Sequence, residues 1–446
     1  MNNYIESPMK IKVYKKRWFI LILYILYTAI GQFQWVEYSI IKNIVQKYYN
    51  VSYTTVDWTA MVFMLVYPIF VVPASYIIDK LGLRVAGLLG CLGTAAGIYL
   101  KLFSVHPNSI YLVIIGQTVV GVSQLLILSL PPKLAITWFA ENEISTACSL
   151  GVFGMQLGCA LGFIIPPTLV KDHDNLDDIG YDIKLMCWVL AIAITPVALG
   201  VLIYFPKEPK LPANNLRENE VFSVKAFFHS MIKLFLNGGF VIHMIAFSIS
   251  VGSYTVLGSL LSAFVLEYFE NAQEDAGRMG LVMIVAGIIG TPIVGYVLDK
   301  THRFKESCFI SGMLQAASVA VLIFALEKRM KLLVYLCFTI LGMFLNTYIP
   351  AGIEFATELT YPSTESTTTG ILYAMSQVLG FLATLVLSIV TETYGTLWAL
   401  SIIMVTMIVG ALMTFIIPNK LRRQASLKAK VPNGFSSIPQ DDILKS

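Results

Sequence analysis

Apolar residues run along this chain in blocks of roughly 20, separated by short polar interruptions. A block of that length crosses a hydrocarbon core as a helix, whereas a barrel strand needs only about ten residues. The pattern predicts helices over 18–41, 57–79, 84–104, 110–138, 144–169, 183–205, 238–269, 279–298, 305–326, 331–357, 365–391 and 395–417. The longest polar stretch, 206–236, carries Pro206, Pro209 and Pro212 among the charges Lys207, Glu208, Arg217, Glu218 and Glu220, and reads as a linker. The expected organisation is therefore an N-terminal segment (1–17), a six-helix half (18–205), a linker (206–237), a second six-helix half (238–418) and a disordered tail (419–446).

Composition explains why these blocks face lipid. Hydrophobic residues make up 57% of the chain and charged residues 13%, with a mean hydropathy of +0.73. A soluble domain carries about 25% charged residues to wet its surface. In hydrocarbon every backbone N–H and C=O must be paired within the protein, which leaves an all-α bundle here. The six cysteines sit in or at the ends of apolar segments and read as small buried hydrophobes. The basic N-terminus runs into the first block without a small-residue cleavage site, so no cleaved signal is expected.

Most of the 31 Lys and Arg fall in the N-terminal segment, the even-numbered turns, the linker and the tail. The opposite loops hold only Lys42, Lys47, Lys101, Lys171, Lys184, Arg278, Lys328, Arg329 and Lys331. The positive-inside bias thus predicts both termini and the linker in the cytoplasm. The sequon Asn50-Val51-Ser52 falls in the first outer loop, which makes Asn50 a candidate glycosylation site.

The two halves share a signature. Asp79-Lys80-Leu81-Gly82-Leu83-Arg84 follows the second helix, and Asp299-Lys300-Thr301-His302-Arg303 follows the eighth. An Asp at a helix end can pair with an Arg on the next loop when the inner face closes, so Asp79, Arg84, Asp299 and Arg303 are candidate gate residues. The repeat resembles a degenerate major facilitator loop signature. That resemblance implies a twelve-helix major facilitator fold, two pseudo-symmetric halves rocking about a midplane site.

Polar and aromatic residues deep in helices are informative, since lipid-facing positions have no use for them. Helix one contains Gln32-Phe33-Gln34-Trp35-Val36-Glu37-Tyr38, and helix five Gly151-Val152-Phe153-Gly154-Met155-Gln156-Leu157-Gly158. Those glycines suit close helix packing, but Gln156 requires a partner. Helix seven contains Gly252-Ser253-Tyr254-Thr255, and helix eleven Tyr373-Ala374-Met375-Ser376-Gln377.

Tyr14-Lys15-Lys16-Arg17-Trp18, Phe33 to Ile41, Asp57-Trp58, Met61 to Leu65, Ser145 to Cys148, Gln156-Leu157-Gly158, Glu354-Phe355, Glu358 to Pro362 and Ala374 to Gly380 together resemble the feline leukaemia virus subgroup C receptor family. The likeness spans nearly all twelve helices and is weak in helices nine and twelve. The family is implicated in transport of choline and ethanolamine, and earlier in haem export. The resemblance implies Trp35 and Tyr254 as cation-site aromatics, and Gln156 and Gln377 as central glutamines that orient the substrate hydroxyl or satisfy one another. Met64 would supply a soft apolar wall. A quaternary ammonium donates no hydrogen bond and is best held over aromatic faces. The competing reading of each residue is helix packing or an interhelical hydrogen bond.

Glu37 reads as a cation attractor at the outer entrance, and Asp57 and Glu392 as helix-end groups within reach of water. Glu354 and Glu358, one turn apart, read as inner-gate partners for basic loop residues. A haem exporter would need a histidine or tyrosine for the iron, or basic residues for the propionates; His243 is the one histidine clearly inside a helix. A proton-coupled carrier of another small solute is a further alternative. The chain carries no Walker A loop, no HExxH and no arguable Ser-His-Asp arrangement, so no enzyme, cofactor or nucleic-acid partner is expected. The expected protein is a monomeric carrier in the plasma membrane or an internal one.

Overall fold

The computed structural model describes residues 12–128, 130–206, 208–209, 211–213, 231–301, 303–361 and 365–418. Twelve helices among them are long and apolar enough to cross a membrane. The first half comprises α1 (Lys16–Val36), the short α2 (Lys42–Tyr49), α3 (Tyr53–Leu102), α4 (Ile110–Leu128), α5 (Leu130–Trp138), α6 (Ile144–Leu169) and α7 (Leu176–Tyr204). The second comprises α8 (Gly238–Leu266), α9 (Gln273–Thr301), α10 (Phe304–Glu327), α11 (Lys331–Thr360), α12 (Glu365–Tyr394) and α13 (Thr396–Ile416). An even number of crossings returns both ends of the bundle to one face, called here the terminal end; the opposite face is the far end.

The pattern of apolar blocks located the spans, and the differences lie at their ends. The second and third predicted helices are two spans, Tyr53–Ile78 and Lys80–Leu102, which follow each other within α3 and are separated by a reversal at Gly82 (φ 80°, ψ 177°). A residue with a Cβ disfavours that positive φ, so the glycine supplies the reversal between two spans. The sixth span begins at Leu176, earlier than predicted, because Asn175 caps it and Asp177 and Asp178 sit favourably in its first turn. The predicted first helix ends early, at Val36, and Lys42 starts a separate amphipathic α2. Asn237 caps α8 by accepting from the Phe240 N–H, which fixes where the linker ends. The linker is described only in part, and the tail from 419 lies outside the described residues.

Two pairings tie the halves together: α3 packs on α12, and α6 on α9. In each pair the second span of one half meets the fifth span of the other, as two parallel repeats require. Within the first half α6 lies directly on α1. A Cβ on Gly154 would sit 3.1 Å from the Ile25 backbone, and one on Gly158 would collide with the Ala29 carbonyl. The glycine stripe of helix five is therefore packing that brings two backbones together. Gly342 of α11 does the same against the Met283 backbone of α9.

The inter-half seam is packed toward the far end. Val56, Ala60 and Met64 of α3 are buried, whereas Ile69, Phe70, Tyr76 and Leu81 on the same element are exposed. α9 repeats the trend, from buried Met279, Met283 and Ile284 to exposed Ile289, Ile293 and Tyr296.

Candidate functional site

Trp35 lies on the last turn of α1, placed there by the close α1–α6 contact. Its indole stacks on the Tyr254 ring of α8, centroids 6.4 Å apart and planes 23° from parallel. One ring comes from each half, so the pair spans the seam. Gly258, one turn beyond Tyr254, makes room: a Cβ there would stand 3.2 Å from the Trp35 ring edge. Below the rings Gln156 of α6 donates from Nε2 to Asn346 Oδ1 of α11 at 3.4 Å, a second link across the seam. Asn346 donates from Nδ2 to the Gly342 carbonyl at 2.9 Å and lies beside the Tyr254 hydroxyl. The partner expected for Gln156 is thus Asn346, a residue the sequence reading did not single out. Its signal was a lone Asn inside an apolar block.

Met64 is fully buried against α12, where the Thr384 hydroxyl lies 3.9 Å from its sulfur and a Cβ on Gly380 would come within 3.7 Å. Gln377 is half-buried one turn before Gly380 and makes no hydrogen bond among the described residues. The structure thus brings Trp35, Tyr254 and Gln156 together around Asn346, with Met64 on the neighbouring α3–α12 seam. It does not pair Gln156 with Gln377.

Two acidic expectations are corrected. Glu37 is not an entrance attractor: it is wholly buried and salt-bridged to Lys101 of α3. Gln117 of α4 donates to it at 3.4 Å and to the Gln34 carbonyl at 2.9 Å, and the Lys101 ammonium lies 5.3 Å from the Tyr38 ring centroid. Asp57 is not open to water: it is buried, salt-bridged to Lys42 at 2.6 Å, and accepts from Ser388 of α12. Both cations were counted among the basic residues of the outer loops, so their burial was invisible in that pattern. The two pairs also explain why α1 stops at Val36. The turn 37–41 is held at both ends by α3, leaving Glu37 and Lys42 without water.

Further polar contacts close the far end. Asn43 and Gln273 exchange amide hydrogen bonds at 2.5 and 3.4 Å. Lys171 pairs with Glu274 at 2.5 Å, and Thr54 donates to Glu392 at 3.2 Å. Asn50 is exposed at this end, capping α2 in the left-handed region. Of the candidate gate residues at the terminal end, Arg84 and Arg303 are exposed, Glu354 is half-buried and Glu358 buried. The side chains of Asp79 and Asp299 lie outside those described.

Two six-span halves meeting across a seam, with aromatic and amide groups from both halves on it, define a solute carrier of the major facilitator type. The family model described as Major Facilitator Superfamily matches residues 20–327 and 244–440. The chain is 37% identical over 97% of its length to an uncharacterized MFS-type transporter of Caenorhabditis elegans, covering 75% of that protein. It is 35% identical to a choline/ethanolamine transporter (flvcr2a) of Danio rerio, over 97% of this chain and 93% of that one. To the Homo sapiens choline/ethanolamine transporter FLVCR2 it is 33% identical, over 96% and 82%. Among solved structures, a bacterial homolog of the human lysosomal transporter Spinster superposes with a TM-score of 0.73 at 14% identity, over 92% of this chain and 99% of that one. The chain belongs to the feline leukaemia virus subgroup C receptor family of the major facilitator superfamily.

Proposed function

We propose that this protein carries choline and related ammonium alcohols, ethanolamine among them, across a membrane by alternating access. The observation that carries the reading is the Trp35–Tyr254 pair: two aromatic faces, one from each half, at the point where the halves part. A trimethylammonium group offers no N–H, and aromatic faces attract it by about 0.5–2 kcal/mol each when desolvated. The nearby Gln156–Asn346 amides and Gln377, unpaired among the described residues, suit the alcohol end. The relatives named choline/ethanolamine transporters supply the same substrate class.

In this reading the positive-inside bias puts the terminal end in the cytoplasm, and the far-end contacts close the outer face. The conformation is then inward-facing. Asp79 with Arg84, Asp299 with Arg303, and Glu354 and Glu358 with basic loop residues serve the opposite closure. Asn50, on the outer face, carries a glycan, and one chain suffices as the working unit in the plasma membrane. The haem alternative loses ground at His243. Its Nε2 is bonded to the Gly352 carbonyl at 2.8 Å, its ring packs edge-on against Phe355, and the residue is wholly buried, so its other ring nitrogen faces protein and not a space open to haem.

The test is uptake of labelled choline into cells expressing the protein beside Trp35→Ala, at matched surface level. Saturable uptake that collapses in the variant supports the aromatic cage. A surface-confirmed protein that takes up no choline above background refutes the reading.

A further inference from the structure

We propose that Asn346 sets the hydrogen-bonding polarity of the site, so that the carrier accepts a substrate bearing a donor and turns away one bearing a carboxylate in the same place. This rests on the ammonium-alcohol reading and deepens it.

The Gly342 carbonyl is an acceptor only, so the group of Asn346 facing it at 2.9 Å is the amide nitrogen. Asn346 Oδ1 therefore points the other way. Gln156 meets that oxygen at 3.4 Å and must present its own nitrogen. The Gln156 atom left without a partner among the described residues is Oε1, an acceptor. Amide orientations are normally ambiguous, but here one fixed carbonyl decides both in sequence.

Asn346 has little freedom to reverse this. A Cβ on Gly287 of α9 would overlap its side chain, and Gly342 is pressed onto the Met283 backbone, so α9 and α11 hold the residue from two sides. Asn346 also lies beside the Tyr254 hydroxyl, so the aromatic face and the amide are neighbours of one residue.

A hydroxyl or ammonium N–H can donate to Gln156 Oε1. The carboxylate of a trimethylammonium acid such as betaine, with the same cationic head, can only accept, and its charge would face an unpaired oxygen. Leaving buried acceptors opposed costs on the order of 10- to 100-fold in affinity.

The experiment measures displacement of labelled choline from purified protein by unlabelled choline, ethanolamine and betaine. Wild type, Asn346→Ala, Gln156→Leu and the double variant are compared, each checked for thermal stability. Wild type should disfavour betaine over choline by at least about 30-fold, within the range given above. Asn346→Ala frees the Gln156 amide to turn over, and the ratio should fall about tenfold. In the Gln156→Leu background the same substitution should leave the ratio unchanged, because Asn346 acts through Gln156. A purely structural asparagine would lower all affinities together and keep the ratio. Equal displacement by betaine and choline in wild type overturns the proposal even if Asn346→Ala does not fold. So does an unchanged ratio in a folded Asn346→Ala. Wild type that binds no choline overturns the substrate reading instead.

Discussion

Lys101→Met should be among the most damaging single substitutions in the first half, and the structure says why. The Lys101 and Glu37 side chains are 1% and 0% exposed, so neither charge has water to fall back on. Removing one partner of such a pair costs about 3–5 kcal/mol, while replacing both with neutral groups of similar volume is near neutral. For Glu37 the remaining protein donor would be Gln117, at a long 3.4 Å. The same charge anchors the turn that follows Trp35, so the loss should reach the site. The assay is a double-mutant cycle read by thermal unfolding in detergent and by surface abundance. Lys101→Met and Glu37→Gln should each lower both sharply, and the double variant should recover most of the loss. A coupling of about 3 kcal/mol corresponds to a change in folded-to-unfolded ratio on the order of a hundredfold. If the double variant is as unstable as the worse single variant, the pair is not what holds α1 to α3, and the reasoning fails.

Trp35→Phe, which keeps a smaller aromatic face, should raise the choline KM by about tenfold or less, while Trp35→Ala abolishes saturable uptake; equal effects in an uptake assay would remove cation–π attraction from the account. Gly158→Val places a side chain into the Ala29 carbonyl and should prevent α1 and α6 from packing, seen as loss of monodisperse protein on gel filtration. Thr54→Cys with Glu392→Cys, replacing groups 3.2 Å apart, should cross-link the far end under oxidant and stop uptake until reductant is added; uptake that continues in the cross-linked protein would mean this end does not open. Asn50→Gln should increase gel mobility if the exposed sequon carries a glycan, matching glycosidase treatment of wild type.

The spans were legible in the sequence because lipid imposes one requirement, about 20 apolar residues with internally paired backbone, and the chain satisfies it block after block. Trp35, Tyr254 and Gln156 were legible for the complementary reason, as residues a lipid-facing helix has no use for. The roles of Glu37 and Asp57 were misread because their partners, Lys101 and Lys42, were counted among the basic residues of the outer loops. A hydropathy pattern scores a lysine as exposed wherever it falls, and cannot know that Gly116 leaves a channel for the Lys101 stem. Asn346 escaped notice because its importance is relational, arising from the Gly342 carbonyl on one side and residues of α6 and α8 on the other.

Part of the far-end closure runs through side chains within reach of solvent, the exposed pair Lys171–Glu274 and the Thr54–Glu392 contact. Such contacts exchange readily with water, and the charged one weakens within a Debye length of about 10 Å as salt rises. This outer part of the latch is thus soft, and its strength is set by the solution around it. The medium bathing that face takes part in the conformational equilibrium, and the carrier's resting state becomes a property of the solution it faces as much as of its own fold.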